Sequence, residues 1–191
     1  MGYCMRQYQS GCIKITVVLS LCLFNMGYVQ AESCKGGTPS TLKLGGVVKT
    51  KATYNLQDLK NFRLDAATEY IPTKVTVTFN TSSGSKTGTY TGVLLNDLLA
   101  AATVKVNAKQ KNDILRKYVV AHASDCYEAI IALGEILPRF ENKKIIVAYA
   151  DGEGNALPDS EGFVRLVVPG DSAGGRNVTH LSQLTVNTAG K

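Results

Sequence analysis

Apolar and polar positions alternate most cleanly in KVTVTFN at 74–80, where Val75, Val77 and Phe79 fall on one face and Thr76, Thr78 and Asn80 on the other. A period of two predicts a half-buried strand. Two denser β-branched runs, IIVAYA at 145–150 and FVRLVV at 163–168, are separated by the turn residues Asp151-Gly152, Gly154-Asn155, Pro158-Asp159 and Gly162. They predict adjacent strands joined by a long ordered loop, with Pro169-Gly170 ending the second strand and opening a Gly-rich bend. The paired strands are the rigid part, and the bends at their ends are where a ligand can be met.

The remaining pattern is shorter. LKLGGVV at 42–48 reads as an interrupted strand, and Asn55 caps one or two helical turns ending near Phe62. Residues 81–89, TSSGSKTGT, read as a polar loop, followed by a helix over 92–102 with an apolar stripe of Leu94, Leu95, Leu98 and Leu99. A basic exposed connection follows at 104–112, then a strand at 118–121, a turn at Ser124-Asp125 and a short buried element at 128–133. Strands and short helices interleave without a regular βαβ beat. The predicted class is α+β, with a mixed β-sheet and short helices.

The first 31 residues change the picture of what folds. Arg6 and Lys14 flank a start with no acidic residue, an apolar run covers 15–24, and Val29-Gln30-Ala31 supplies small residues at −3 and −1. This is the form of a secretory signal cleaved after Ala31, its core well short of the roughly 20 residues a spanning helix needs. The expected organisation is a signal over 1–31, a loose lead-in over 32–41 and one domain over 42–191. A periplasmic or secreted location follows, with no stable membrane anchor after cleavage. Removing the signal leaves 19 of the 21 basic residues against 15 acidic ones, scattered rather than clustered. That balance favours small anions and gives no reason to expect nucleic acid. Of five cysteines only Cys34 and Cys126 then remain, an even pair available for a disulfide in an oxidising compartment if geometry allows.

The order of segments resembles the oxidoreductase molybdopterin-binding domain, the fold of sulfite oxidase and its bacterial relatives. The resemblance runs over about 42–186 through LKLGGVV, NLQDLKNF, YTGVLLNDLLAAA, SDCYEAIIALGEIL and the long segment beginning IIVAYADGEGNALP. Tyr90, Gly92, Val93 and Leu95 match the family's start before its helix, and Asp125 and Tyr127 flank Cys126 where the family has an Asp-Gly-Tyr turn. Gly162, Arg165, Val167, Val168, Pro169 and Gly170 match its closing motif. The resemblance implies molybdopterin as cofactor and, in catalytic members, a cysteine thiolate on molybdenum after the half-buried strand. Here that region, TFNTSSGS at 78–85, holds no cysteine, and the later Arg-x-x-Lys-Trp segment keeps only Arg176. The family's companion immunoglobulin-like domain is also expected to be absent. The loss of thiolate and lysine predicts that ordinary molybdenum chemistry, and with it the cofactor, has gone. The alternative is an active molybdopterin-dependent oxidoreductase with an unusual ligand set.

Other constellations are weaker. Gly170-Asp171-Ser172-Ala173-Gly174 matches a nucleophile elbow, but no acidic residue follows Asp171 and His180 is eight positions on, so a triad cannot be completed in hydrolase order. Asp151, Glu153 and Asn155 begin like a calcium loop that then lacks its Gly and its closing Glu. Arg165, mid-strand among apolar residues, must be paired or face solvent, with Asp159, Glu161 or Asp125 as partner. The expected site is a cationic pocket of Arg165, Arg176, Lys86, His122, Asp125 and Tyr127. It would take a small anionic ligand or serve a periplasmic protein partner, and no metal is assigned to it.

Overall fold

The computed structural model describes residues 34, 36–65, 67 and 71–190, and the expected signal lies outside them. Residues from Cys34 onward form one compact unit. In chain order its strands are β1 (Leu42–Gly46), β2 (Ala52–Tyr54), β3 (Thr73–Thr81), β4 (Gly84–Leu94), β5 (Lys117–Ala123), β6 (Glu128–Ala132), β7 (Ile146–Asp151), β8 (Arg165–Val167) and β9 (Leu181–Thr188). The helices are α1 (Leu56–Lys60), α2 (Leu95–Ala102) and α3 (Leu133–Ile136), with 3-10 turns at Asp113–Arg116 and Gly174–Arg176.

Two sheets result. One runs β2-β1-β9-β5-β6 and is mixed, because β1 and β9 are parallel; the other, β3-β4-β7-β8, is antiparallel throughout. The α+β class with mixed pairing and few short helices therefore holds. The main core takes Leu42 and Leu44 from β1, Val119 and Ala121 from β5, Leu184 and Val186 from β9, and Val93, Val147 and Leu166 from the second sheet. Leu95, Leu98 and Leu99 of α2 close it. Each fully buried Leu contributes about 1.5–3 kcal/mol.

Local chemistry accounts for most boundaries. Asn55 Oδ1 accepts from the N–H groups of Gln57 and Asp58 while the Asp58 carboxylate accepts from Asn55 N–H, a reciprocal cap that starts α1. The loop expected over 81–89 is instead strand. Only Ser82-Ser83 turn the chain, and Gly84 at φ +109° admits the reversal. Beyond it the threonines alternate as strand residues do, with Thr76 and Thr89 hydroxyls 2.9 Å apart across the hairpin and Thr78 and Thr87 2.8 Å apart. Nor does the helix begin at Gly92: Gly92, Val93 and Leu94 still pair with β7, and α2 starts at Leu95. A Cβ at Gly92 would collide with the Val147 carbonyl oxygen, so the register shift beside it requires glycine.

The described residues of the lead-in carry no regular structure but are fastened down. Cys34 and Cys126 form a disulfide with a Cα–Cα separation of 5.4 Å, Gly36 N–H donates to the Ser124 carbonyl, and Ser124 Oγ donates to the Gly37 carbonyl. That separation lies within the range a disulfide accepts without backbone movement. Bond and loops together hold the start of the compact unit against the β5–β6 turn.

Candidate functional site

The antiparallel sheet has one face in the main core. Its other face carries Val75, Val77 and Phe79 of β3, Lys86 and Tyr90 of β4, Ile146 and Ala148 of β7, and Arg165 and Val167 of β8, as register and strand alternation require. Val75, Val77, Ile146, Ala148 and Val167 form a small second apolar cluster on that face. Where the apolar residues give way to Phe79, Lys86, Tyr90 and Arg165, a cavity of about 420 Å³ opens. Thr81, Ser160, Glu161 and Thr179 complete its wall.

Arg165 is 5 % exposed, so its charge must be met inside the protein. Its Nη1 donates to Glu161 Oε1 at 2.7 Å and to the Tyr90 hydroxyl oxygen at 2.9 Å, and the guanidinium carbon lies 4.7 Å from the centre of the Tyr90 ring. The Tyr90 hydroxyl in turn donates to Glu161 Oε1 at 3.3 Å. Burial raises the Tyr90 pKa above that of a free phenol, with the Arg165 charge opposing, so Tyr90 stays a protonated donor near neutrality. Two atoms of this network lack a partner among the described residues: Arg165 Nε and Glu161 Oε2, both buried. The Glu161 backbone is held by His180, whose N–H donates to the Glu161 carbonyl at 2.8 Å, while the His180 ring is 2.9 Å from the Asp159 carbonyl.

A second lobe of about 260 Å³ adjoins this cavity through Thr179, which lines both. Asp125, Tyr127, Gly174, Gly175 and Asn177 form the rest of its polar wall. The Tyr127 hydroxyl donates to the Gly175 carbonyl at 2.5 Å, tying the β5–β6 turn to the Gly-rich bend. The bend also docks on β3: Asn80 N–H donates to the Ser172 carbonyl, and a Cβ on Gly174 would come within 2.7 Å of the Phe79 ring. Only glycine allows that approach.

The expected pocket residues therefore divide. Lys86 and Arg165 share the larger lobe, and Asp125 and Tyr127 the smaller. Arg176 lines neither. Its Nε and Nη2 donate to the two Asp171 carboxylate oxygens at 2.7 and 2.6 Å, and its Nη1 donates to both Glu135 oxygens. The hydrogen bonds from Arg176 lower the Asp171 pKa, outweighing its burial, and those same carboxylates raise the Arg176 pKa further. Its charge is fully used within the protein. His122 is also outside both lobes, because strand alternation places Ala121 and Ala123 in the core and turns His122 the other way. Its Nδ1 lies 2.7 Å from Glu128 Oε1 and its Nε2 3.1 Å from Thr185 Oγ1. Ser172, in the elbow-like sequence, is exposed, and its carbonyl accepts from Asn80 N–H. Thr179, Ser160 and Asn177 escaped sequence reasoning, since small polar residues in turns carry no periodic signal.

The donor set can be compared with what thiolate-bound molybdenum needs. Among the described residues both cysteines are consumed in the disulfide, and the segment after β3 offers the Thr81 hydroxyl, a hard oxygen, where a soft sulfur is wanted. No group of three or more His, Cys, Asp and Glu side chains among the described residues converges to hold a metal ion. These residues do not fit a molybdenum held by a protein thiolate.

Comparison with known proteins supplies the lineage. In a search of the solved structures, the sulfane dehydrogenase SoxCD from Paracoccus pantotrophus is similar with a TM-score of 0.59 and 20% sequence identity. The match covers 78% of this chain and 39% of that one, so the chain spans well under half of that relative's length. At this identity the likeness shows the fold, the one that the order of segments implied. No curated protein sequence matches the chain. The model of the family described as the oxidoreductase molybdopterin binding domain matches residues 36–191, which takes in both lobes of the cavity. The chain belongs to the oxidoreductase molybdopterin-binding domain family.

Proposed function

We propose that this chain is an exported member of its family in which thiolate-ligated molybdenum chemistry, and the cofactor with it, has been replaced by binding of a small anion at the Arg165–Lys86 cavity. The observation that carries the reading is the fate of the candidate groups. Cys126 is locked to Cys34, Arg176 is neutralised by Asp171 and Glu135, and among the described residues only Lys86 and Arg165 bring positive charge to the cavity. Against the single carboxylate of Glu161 they leave a net charge of plus one, the complement of a monoanion or of an anionic group presented by a periplasmic partner. The Cys34–Cys126 pair also favours an oxidising compartment, as the signal-like start does.

Elemental analysis of protein exported from a host that makes the molybdenum cofactor, together with calorimetric titration with inorganic phosphate, tests this. Phosphate binding with substoichiometric molybdenum is the expected result. One molybdenum per chain would overturn it in favour of an oxidoreductase with an unusual ligand set.

A further inference from the structure

The two lobes differ in charge, and each holds a hydrogen-bonding atom with no partner. In the larger, Lys86 and Arg165 face one carboxylate, and the buried Arg165 Nε and Glu161 Oε2 are unmatched among the described residues. In the smaller, Asp125 is the one charged residue of the lining among the described residues, with no cation beside it there. Asn177, 9 % exposed, lines this lobe. Its Oδ1 accepts from Val168 N–H at 2.8 Å, which fixes the amide orientation and identifies the other atom, Nδ2, as a buried donor without an acceptor. Leaving a buried donor or acceptor unmatched is costly, and native proteins keep few such groups. Here three of them belong to residues that line two cavities with Thr179 in the wall of both.

We infer that the cleft takes a polyhydroxylated anion, a sugar acid or sugar phosphate, with its anionic group beside Lys86 and Arg165 and its hydroxyls extending past Thr179 to Asn177. This inference rests on the anion reading above and adds the second half of the ligand. The negative Asp125 repels a second anionic group, so the arm in the smaller lobe is uncharged. That arm must present an oxygen acceptor to Asn177 Nδ2. The ligand must also offer a donor to Glu161 Oε2 and an acceptor to Arg165 Nε, and hydroxyl groups are both donor and acceptor. A bare inorganic anion meets the charge and leaves Asn177 unmatched; a neutral sugar does the reverse.

The test is calorimetric titration of the exported protein with D-glucuronate, glucose 6-phosphate, inorganic phosphate and glucose. The two sugar anions distinguish a carboxylate from a phosphate head. At least one of them is expected to bind about tenfold tighter than phosphate. Two variants address the smaller lobe. Asn177→Asp keeps an oxygen for Val168 N–H and removes the free donor, and Thr179→Val, at a half-buried position, removes the hydroxyl where the lobes meet. Each is expected to bring the ratio of sugar-anion to phosphate affinity down to about one, with thermal unfolding confirming the fold. The ratio is the readout because Thr179 also lines the larger lobe and Asn177→Asp adds a charge felt by both ligands. Equal affinity for phosphate and both sugar anions, unchanged by Thr179→Val, overturns this inference and leaves the anion reading standing. Failure of all three anions to bind overturns both.

Discussion

Arg165 and Glu161, four residues apart, meet at 2.7 Å across the mouth of a cavity although only Arg165 belongs to a strand. The pairing ties the long β7–β8 connection to the sheet and sets the charge of the site. Glu161→Gln keeps an oxygen for Arg165 Nη1 and deletes the negative charge. Phosphate affinity is expected to rise several-fold by titration calorimetry, since removing a unit charge a few ångströms from an anion is worth about 1–3 kcal/mol at an effective dielectric near 20, less after solvent screening. Stability should fall by about 1 kcal/mol, the difference between a charged and a neutral acceptor.

Lys86 supplies the other positive charge from an exposed position on β4, and no structural bond of its side chain is seen among the described residues. Lys86→Ala is expected to weaken phosphate binding by about three- to tenfold and to leave the urea midpoint within the scatter of surface substitutions, about ±0.5 kcal/mol. A large loss of stability with unchanged binding would contradict its placement at the site.

The disulfide closes a loop with a sequence separation of 92 residues. On the chain-entropy view, replacing both cysteines by serine costs about 4–5 kcal/mol, mostly by enlarging the unfolded ensemble. Urea unfolding of the double variant, against the parent with and without dithiothreitol, measures this. The reduced parent and the double serine variant should share a midpoint.

Arg176 predicts a pH dependence. Its hydrogen bonds lower the Asp171 pKa despite burial, and in Glu135, where burial is the largest influence and acts upward, the bonds from Arg176, Ala132 N–H and Lys143 together bring the pKa below normal. A carboxyl with a lower pKa in the folded chain than in the unfolded one stabilises fully above the unfolded value, about pH 4, and loses that contribution as the pH falls through the folded value. The parent is therefore expected to lose stability steadily below about pH 4. Arg176→Met should be less stable by about 1–3 kcal/mol at pH 7 and show a shallower acid limb in denaturation followed by circular dichroism.

Gly92→Ala drives a methyl group into the Val147 backbone at the register shift between β4 and β7. Backbone on both sides cannot yield cheaply, and a loss of about 1–3 kcal/mol or more is expected from urea unfolding.

Legibility in the sequence followed periodicity. The alternation of KVTVTFN gave the two faces of β3, and Asn55 gave the start of α1. IIVAYA and FVRLVV gave β7 and β8, because strand pattern and turn residues agreed there. TSSGSKTGT misled because Ser, Gly and Thr are common in loops, whereas here a cross-strand ladder of hydroxyls stabilises a hairpin that composition alone disfavours. The site was half legible. Arg165 announced itself as a charge inside an apolar strand, and Glu161 was among its expected partners. Arg176 and His122 were misplaced for a common reason: a residue type signals what it can bind, and the partners that consume it, Asp171 with Glu135 in one case and Glu128 with Thr185 in the other, depend on strand order.

The parallel seam between β1 and β9 bears on the timing of folding. β9 lies between β1 and β5, so the local pairs β1–β2 and β5–β6 are joined into one sheet only by a segment made almost last. Contacts this distant in sequence form slowly, because the ends of a long chain must first find each other. A ribosome-bound chain ending before 181 would lack the strand that joins the two halves of its largest sheet. Such a chain can close only the local β1–β2 and β5–β6 pairs of that sheet, and the mixed sheet becomes whole when the last strand arrives.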